Sequence, residues 1–280
     1  MRGERAMDSR VVLVTGASSG IGAATASRLV SAGYVVYGAA RRIDRIAALP
    51  GVIPVEMDIT DEGQVSAAVT RIISEQGRLD VLVNNAGFAQ YGPVEEVPID
   101  AARYQFEVNL FGLARLTQLV IPHMRARKSG TIVNISSMGG RIYTPLGAWY
   151  HATKHALEGW SDCLRVELKP LGIDVVIIEP GGIATEFSDV LAQHTSHLPP
   201  SAANSPYQDL TDKVTRTLSD PDFVRRASPP SLIADTILTA ISSSKPKSRY
   251  MAGYLAKPMW RLRRFGGDGL YDRAVARIVK

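Results

Sequence analysis

The chain has 280 residues, of which 45% are hydrophobic, and a formal net charge of +5. This length suits one large α/β domain or two small ones. The apolar runs are far shorter than the roughly 18 residues of a membrane span, and residues 1–10 lack the apolar centre of a signal peptide. We therefore expect a soluble, cytoplasmic protein without integral membrane association. Lysine and arginine are scattered except near the C-terminus, so we predict no nucleic-acid partner.

A strand, a glycine loop, a helix and a second strand follow one another at the start of the chain. The apolar run Val11 to Val14 leads into the segment Thr15-Gly16-Ala17-Ser18-Ser19-Gly20-Ile21-Gly22. An amphipathic helix and a second strand, Tyr34 to Ala39, come next. The glycines permit a tight turn at Gly16, backbone approach to a pyrophosphate at Gly20 and close helix–strand packing at Gly22. We expect the amides at the start of the helix to face phosphates.

The spacing Gly-x-x-x-Gly-x-Gly resembles the cofactor loop of the short-chain dehydrogenase/reductase family. The resemblance continues in the family's order, with Asn84-Asn85-Ala86-Gly87 after the fourth predicted strand, a serine after the fifth, and Tyr150 four residues before Lys154. It implies an α/β fold: a single doubly wound Rossmann domain over residues 11–280, with a seven-stranded, mostly parallel sheet and helices on both faces. Residues 1–10 are expected to be a flexible N-terminus.

The stretch from Ser137 to Lys154 is expected to carry the chemistry. Tyr150 and Lys154 share one face of a predicted helix. A tyrosine with a pKa of about 10 needs roughly 4 kcal/mol of bias to act as a base near pH 7, and a neighbouring Lys⁺ supplies bias of that sign. The resemblance makes Tyr150 the catalytic acid/base, assisted by Lys154, and Ser137 the residue that holds the substrate oxygen, with Ser136 as the alternative register. It gives Asn109, in a helix predicted from about 100 to 127, a role in a proton relay; a satisfied core amide is the alternative.

The residues after the second strand favour NADP(H) as the cofactor. Proteins that prefer NAD usually present a carboxylate to the ribose 2′-hydroxyl, whereas this chain has Arg41 and Arg42. A guanidinium can hold a 2′-phosphate with two hydrogen bonds, so we predict Arg41 as the main contact and Arg42 as its helper. The alternative is that both arginines are solvated residues at the start of the next helix. The resemblance places Asp58 beside the adenine with Ile59 packing on it, although Asp58 could also cap the helix that starts near residue 61.

The resemblance implies further cofactor contacts in the glycine loop, after the fourth and sixth strands, and on the catalytic helix. These residues are Gly16, Ser18, Ser19, Gly20, Ile21, Gly22, Asn85, Ala86, Gly87, Tyr150, Lys154, Pro180, Gly181, Ile183 and Thr185. After the sixth strand the chain resembles the family's Pro-Gly-x-x-x-Thr segment, which holds the nicotinamide carboxamide, and Gly182 is expected where backbone approaches the ring. No metal is needed in this scheme.

Two segments lie outside the specific motifs. Residues 186–230 are polar and proline-rich, and a connection of this length is either a functional lid or partly disordered; by position, the resemblance makes it the family's substrate lid. Residues 245–280 form a basic, aromatic C-terminal extension, which can lie on a membrane or an acidic partner or be a solvated helix face that covers the domain. Together they resemble the hydroxysteroid and retinol dehydrogenase branch, which implies a lipophilic substrate. An acyl-chain ketoreductase is the competing interpretation.

The sequence therefore predicts an NADP(H)-dependent oxidoreductase that transfers hydride to or from a carbonyl/alcohol pair on a small-molecule substrate. The alternative is a non-catalytic NADP(H)-binding sensor or scaffold, which would be expected to lose Tyr150 or Lys154. The resemblance implies a homodimer or homotetramer formed through the helices that bear Asn109 and Tyr150. The single cysteine, Cys163, cannot form an internal disulfide and is expected to pack in the interior.

Overall fold

The computed structural model describes residues 10–185 and 205–278. In this part of the chain seven strands form one sheet in the order β3-β2-β1-β4-β5-β6-β7, and every neighbouring pair is parallel. The strands are β1 Val11–Thr15, β2 Val35–Ala40, β3 Val52–Glu56, β4 Val81–Asn84, β5 Gly130–Ile135, β6 Ile173–Pro180 and β7 Arg249–Ala252. Their continuous apolar, β-branched character fits a sheet that is buried on both faces.

Helices cover both faces of the sheet. They are α1 Gly20–Ser31, α2 Ile43–Ala47, α3 Glu62–Gln76, α4 Ile99–Phe106, α5 Gly112–Ala126, α6 Ala148–Leu168, α7 Gln208–Ser219, α8 Pro221–Arg226, α9 Pro230–Ser242 and α10 Ala256–Ile278. Successive residues of β1 pack on opposite sides. Val11 and Leu13 join the cluster that includes residues of α3, α5 and α6, whereas Val12 and Val14 join the cluster formed with α1 and α9.

The strand order reverses beside β1. The chain lays β2 and β3 on one side of β1 and then returns to lay β4 on the other. In such sheets a ligand binds outside the carboxyl ends of the strands, at the point of reversal. The glycine loop after β1 and the segments after β4, β5 and β6 all lie at this edge, so the fold brings together the motifs that the sequence singled out.

Asp80 ties the opposite, amino-terminal edge of the sheet together. Its carboxylate accepts hydrogen bonds from the Val11 amide at 2.8 Å, from Arg78 at 2.8 Å and from Arg127 at 2.6 Å. Burial raises the pKa of Asp80, but these hydrogen bonds and charges outweigh that effect and hold the pKa below its usual value. The carboxylate therefore stays charged although it is buried.

The helical stretch predicted from about 100 to 127 is not one α-helix. Between α4 and α5 the residues Glu107–Phe111 form a π-helical turn, with Asn109 at its centre. Such wider turns occur frequently at functional sites. Cys163 is exposed, so the expected interior packing is wrong. The buried side of α6 is formed by residues such as Leu157, Ser161 and Leu164, and Cys163 lies off that face.

The predicted lid and extension are only partly described. Residues 205–230 contain α7 and α8, whereas residues 186–204 of the lid, like residues 1–9 of the N-terminus, lie outside the described residues. In the extension, α10 bends at Gly267, whose φ is 67°. Its exposed side carries Lys257, Arg261 and Arg264, and Phe265 is 78% exposed. No helix among the described residues has both the length and the apolar character needed to cross a bilayer.

Candidate active site

The carboxyl edge of the sheet brings the predicted cofactor residues together in three groups. Gly16, Ser18, Ser19, Gly20, Ile21 and Gly22 lie between β1 and the first turn of α1, Asn85, Ala86 and Gly87 follow β4, and Pro180, Gly181, Ile183 and Thr185 lie at and after the end of β6. The strand order places the first two groups side by side, because β1 and β4 are neighbours.

The glycine loop is held tightly against the segment after β4. Thr15 Oγ1 accepts hydrogen bonds from the amides of Asn85 and Ala86 at 3.0 and 2.9 Å, and Asn85 Nδ2 donates to the Thr15 carbonyl at 2.9 Å. A Cβ on Gly16, whose φ is +65°, would lie 2.9 Å from the Ala86 Cα, and one on Gly22 would lie 2.6 Å from Asn85 Nδ2. No side chain fits at either position. The loop is therefore a cradle of bare backbone at the start of α1, which fits the phosphates of a dinucleotide.

Arg42, rather than Arg41, lies over this cradle. Its Nη2 donates to the hydroxyls of Ser18 and Ser19 at 3.3 and 3.2 Å. Arg41 extends toward the other side, where its Nη1 donates to the Tyr104 hydroxyl at 3.4 Å and its side chain is 70% exposed. The structure thus places the predicted helper nearer the glycine loop than the predicted main contact.

Asp58 does not cap α3. That role belongs to Asp61, whose Oδ1 accepts a hydrogen bond from an amide in the first turn of the helix at 3.0 Å. Asp58 Oδ1 instead accepts from the amide and the hydroxyl of Thr60 at 2.9 and 2.8 Å. Burial raises the pKa of Asp58, but these bonds and the charge of Arg41, 3.8 Å away, bring it below its usual value. Ile59 is buried beside it, under α5.

Ser137 and Tyr150 meet after the end of β5. Their side chains are hydrogen-bonded to each other, and Ser137 Oγ also accepts from the Gly139 amide at 3.0 Å. The hydroxyl of Ser136, the alternative register, is buried, and a Cβ on Gly140 would lie 2.8 Å from it. The geometry favours Ser137 as the partner of Tyr150.

Burial has the largest effect on the pKa values of Tyr150 and Lys154. It raises the pKa of the Tyr150 phenol, and the hydrogen bond with Ser137 offsets only part of that rise. Lys154 Nζ lies 6.0 Å from the centre of the Tyr150 ring and donates to the Ile135 carbonyl at 2.9 Å. Burial lowers the pKa of Lys154 to about 8, although the charge of Glu158 opposes this. Ser137 and Lys154 therefore do not lower the pKa of Tyr150 below its ordinary value, contrary to expectation. The phenol is protonated at neutral pH.

Asn109 joins the segment after β4 to α6. Its Oδ1 accepts from the Phe88 amide at 3.0 Å, and its Nδ2 donates to the Phe88 carbonyl at 2.9 Å and to Thr153 Oγ1 at 3.1 Å. These bonds fit the alternative of a satisfied core amide. A Cβ on Gly87 would lie 3.1 Å from Asn109 Oδ1 and 3.7 Å from Lys154 Nζ, so Gly87 lies between this amide and Lys154.

The segment after β6 lies against the residues after β7. The amides of Gly181 and Gly182 donate to the carbonyls of Ala252 and Tyr254 at 2.8 and 2.9 Å. A Cβ on Gly181 would collide with the Tyr254 carbonyl, whereas one on Gly182 would have 3.5 Å of room. The closest approach to this chain's own backbone therefore occurs at Gly181, and the approach of Gly182 to a cofactor ring stays a prediction. Thr185 lies over the glycine loop at Gly20.

Sequence reasoning missed His151, which holds the loop after Ser137. Its Nε2 accepts from the Thr144 amide at 3.0 Å, so Nδ1 carries the proton and donates to the Gly139 carbonyl at 2.8 Å. Burial lowers the pKa of His151 to about 4, so the ring is neutral. Sequence reasoning also missed Tyr91, whose half-buried ring lies 5.9 Å from that of Tyr150. Neither residue belongs to a motif, because each acts through partners that only the fold brings near.

Comparison with known proteins identifies the family. The sequence profile of short chain dehydrogenases matches residues 10–196. The chain belongs to the short-chain dehydrogenase/reductase family. A 3-ketodihydrosphingosine reductase of Bacteroides thetaiotaomicron is 40% identical to this dehydrogenase over 183 residues, which cover 65% of this chain and 67% of the relative.

Solved structures agree with the family assignment. A short-chain dehydrogenase from Streptomyces avermitilis is 33% identical with a TM-score of 0.75, over 96% of this chain and 94% of that one. A short chain dehydrogenase from Burkholderia cenocepacia in complex with NADP is 27% identical with a TM-score of 0.74, over 95% and 97% of the two chains. The predicted family and Rossmann fold are confirmed, and this short-chain dehydrogenase is an oxidoreductase with a nucleotide-binding fold.

Proposed function

We propose that this short-chain dehydrogenase reduces a carbonyl group on a lipophilic substrate with NADPH, with the reverse oxidation as the same reaction run backwards. One observation carries the proposal: the hydrogen-bonded hydroxyls of Ser137 and Tyr150 lie with Lys154 and Asn109 at the sheet edge that also holds the glycine cradle. NADPH bound in that cradle supplies the hydride.

The side chains account for the proton. Ser137 donates a hydrogen bond to the substrate oxygen and fixes its position. Tyr150 is protonated at neutral pH because its pKa is raised by burial, so it can deliver its proton to the oxygen as the carbonyl carbon accepts hydride. Lys154, with a pKa of about 8, is largely charged at pH 7 and lies close enough to stabilise the phenolate that remains. Asn109 keeps this part of the site rigid through its bonds to Phe88 and Thr153.

The two arginines after β2 support NADP(H) over NAD(H). Arg42 already donates to the hydroxyls of Ser18 and Ser19 in the cofactor loop, and Arg41 lies exposed beside it. A 2′-phosphate between them would receive charge-assisted hydrogen bonds from both guanidinium groups. The relative of known structure from Burkholderia cenocepacia is in complex with NADP, which agrees with this preference.

The substrate class rests on a relative and on the walls of the site. The 40% identical relative is named a 3-ketodihydrosphingosine reductase, and that name describes a ketone on a long aliphatic chain. Tyr91, which packs beside Tyr150, supplies aromatic surface near the reacting group. The described end of the predicted lid is anchored close by, because the Ser205 hydroxyl donates to Glu96. We therefore propose a long-chain ketone, ahead of a steroid or retinoid.

We also propose that this dehydrogenase is a homo-oligomer. Phe111, at the end of the π turn, is 53% exposed, and Val166 on α6 is 64% exposed. Both lie on the helical segments through which the family resemblance implies self-association. Sedimentation that shows only a monomer at micromolar concentration would contradict this proposal.

Binding and turnover test the proposed function together. We would titrate the purified protein with NADPH and NADH by nicotinamide fluorescence, and then offer a panel of long-chain ketones and aldehydes. We expect tighter binding of NADPH and consumption of it on a ketone. Tight binding without turnover on the whole panel would favour the sensor alternative, and a preference for NADH would contradict the role of the arginines.

Tyr150→Phe separates chemistry from binding. Without the phenolic proton, kcat should fall by roughly 10²-fold to 10⁴-fold, while the dissociation constant of NADPH should change by less than about twofold. Tyr34→Phe is the matched control, because the Tyr34 hydroxyl contacts Ser242 at the opposite edge of the sheet. Wild-type turnover by Tyr150→Phe would show that another group donates the proton.

A further inference from the structure

The loop between Ser137 and α6 follows a path that is not favourable by itself. Leu146 has a φ of +64°, in the left-handed region that a non-glycine residue with a bulky side chain rarely adopts. Such residues persist only where the surrounding structure fixes them. The loop must therefore be held by contacts from elsewhere in the chain.

One set of contacts comes from inside the domain. His151 of α6 bonds to the Gly139 carbonyl and to the Thr144 amide at 2.8 and 3.0 Å. The Leu146 carbonyl accepts from the Gly92 amide at 2.8 Å. These bonds fix the two ends of the loop, and between them Arg141 donates to the buried carboxylate of Glu179 at 3.1 Å.

The C-terminal extension, more than 120 residues later, also holds the middle of the loop, at Tyr143. Tyr271 of α10 is fully buried, and its hydroxyl donates to the Tyr143 carbonyl at 2.9 Å. The Tyr143 hydroxyl in turn donates to Asp272 at 2.7 Å, and the two tyrosine rings meet edge to face with 4.9 Å between their centres. The Arg263 guanidinium lies 5.2 Å from the centre of the Tyr143 ring.

An apolar cluster surrounds these polar contacts. Ile142 of the loop packs with Met259, Tyr271 and Val275 of α10, and Met138, the residue next to Ser137, packs against the same cluster. A displacement of the loop away from α10 would therefore expose apolar surface and leave the Tyr143 carbonyl without its buried donor. Both effects oppose the displacement.

We propose that Tyr271 and Asp272 of the C-terminal extension are positioning residues that hold the loop so that the Ser137 hydroxyl stays in hydrogen-bonding reach of Tyr150. The proposal rests on the proposed function, because it assigns the extension to the same site. The extension would then affect the rate of catalysis although none of its residues needs to touch the substrate. Two sets of contacts hold the loop. The polar contacts, here called the polar arm, are the hydrogen bonds of Tyr143 with Tyr271 and Asp272. The apolar contacts, here called the apolar arm, are those of the cluster around Ile142.

Two variants remove the polar arm while the apolar arm remains. Tyr271→Phe deletes the donor to the Tyr143 carbonyl, and Asp272→Ala deletes the acceptor for the Tyr143 hydroxyl at an exposed position that the fold should tolerate. We expect each variant to lower kcat at least fivefold, with the NADPH dissociation constant within twofold of wild type. Tyr34→Phe, the same chemical change on the opposite edge of the sheet, should leave kcat unaltered.

A double-variant comparison distinguishes positioning from a general structural role. In a Ser137→Ala background, measured as a single-turnover rate with enzyme in excess, Tyr271→Phe should cause no further loss, because the serine through which it acts is gone. An equal loss in both backgrounds would overturn the proposal, as would an unchanged kcat in both Tyr271→Phe and Asp272→Ala.

Hydrogen exchange gives a readout that does not depend on activity. Amides of the peptide covering residues 138–147 should exchange at least fivefold faster in Tyr271→Phe than in wild type. If the wild-type protein turns over none of the offered ketones but this acceleration is seen, the proposed function fails while the loop contact stands. If the wild type is active and neither exchange nor kcat responds to the variants, the positioning proposal fails alone.

Discussion

Replacing Gly22 with alanine has two opposing effects: alanine has the higher helix propensity, but its Cβ would collide with the glycine loop. Gly22 lies in the first turn of α1, and in an unhindered helix alanine would be favoured by about 0.5–1 kcal/mol. Here the added Cβ would lie 2.6 Å from Asn85 Nδ2 and 2.8 Å from the Gly16 carbonyl carbon, and closer still to the carbonyl oxygen. Ordinary contacts of carbon are about 3.5–4.0 Å, so the loop must move by about 1 Å.

That displacement has a cost in stability and in binding. Overpacking of this kind typically costs about 1–3 kcal/mol, so after the propensity gain we expect a net loss of about 1–2 kcal/mol in the free energy of unfolding. The Gly16 carbonyl would also move away from Asn85, which donates to it at 3.3 Å and braces the cradle. We expect NADPH affinity to fall at least tenfold, which corresponds to about 1.4 kcal/mol.

Gly159→Ala is the matched control, because Gly159 is also helical and a Cβ there would meet nothing within 4 Å. It should be neutral or stabilising by up to about 1 kcal/mol, with unchanged NADPH binding. Urea unfolding and fluorescence titration of both variants provide the two measurements. If Gly22→Ala behaved like Gly159→Ala in both, the steric argument for a bare-backbone cradle would be refuted.

Three further changes test the cofactor preference and the buried charges. The double variant Arg41→Ala/Arg42→Ala should weaken NADPH binding at least tenfold and NADH binding less than twofold in fluorescence titrations; equal weakening would show that the arginines do not read the 2′-phosphate. Asp80→Asn should lower the free energy of unfolding by about 1–3 kcal/mol at pH 7, and because the folded pKa of Asp80 is lowered, this difference should begin to shrink in urea titrations below about pH 4 and be lost as the pH falls through the folded pKa. The wild type should lose about 3 kcal/mol between pH 7 and pH 4 because the pKa of His151 is about 4 in the fold against 6.5 in the unfolded chain; a His151→Gln variant with the same pH dependence would contradict this.

The strands were predictable because their signal is local. Each is a short apolar run bounded by turn residues. The first two were predicted at Val11 to Val14 and Tyr34 to Ala39, and they lie at Val11–Thr15 and Val35–Ala40, within one residue at each end. The glycine loop was predictable for a similar reason, since its spacing reflects steric limits within one βα unit. The family resemblance then supplied the order of the motifs around the site.

Features that depend on distant partners were not predictable. The π turn at Asn109 reflects bonds to Phe88 and Thr153, which the fold brings near from 21 residues before and 44 residues after. Which of the two arginines contacts the glycine loop depends on where Ser18 and Ser19 lie relative to the end of β2. The packing of α10 on the loop after Ser137 had no periodic signal, because charged residues surround most of that helix.

The burial of Tyr150 determines the protonation state that this residue brings to the proposed reaction. Because burial raises the phenol pKa above its usual value of about 10, removal of the proton at pH 7 would cost at least about 4 kcal/mol before any oxidation could begin. Reduction requires no such step, since the protonated phenol is already the acid. After the proton has moved, the phenolate lies near Lys154, whose pKa of about 8 keeps it largely charged at pH 7. In the proposed reaction the raised pKa therefore leaves the proton needed for reduction in place at pH 7 but also makes the phenol a weaker acid, so the charge of the nearby Lys154 is needed to stabilise the phenolate in either direction.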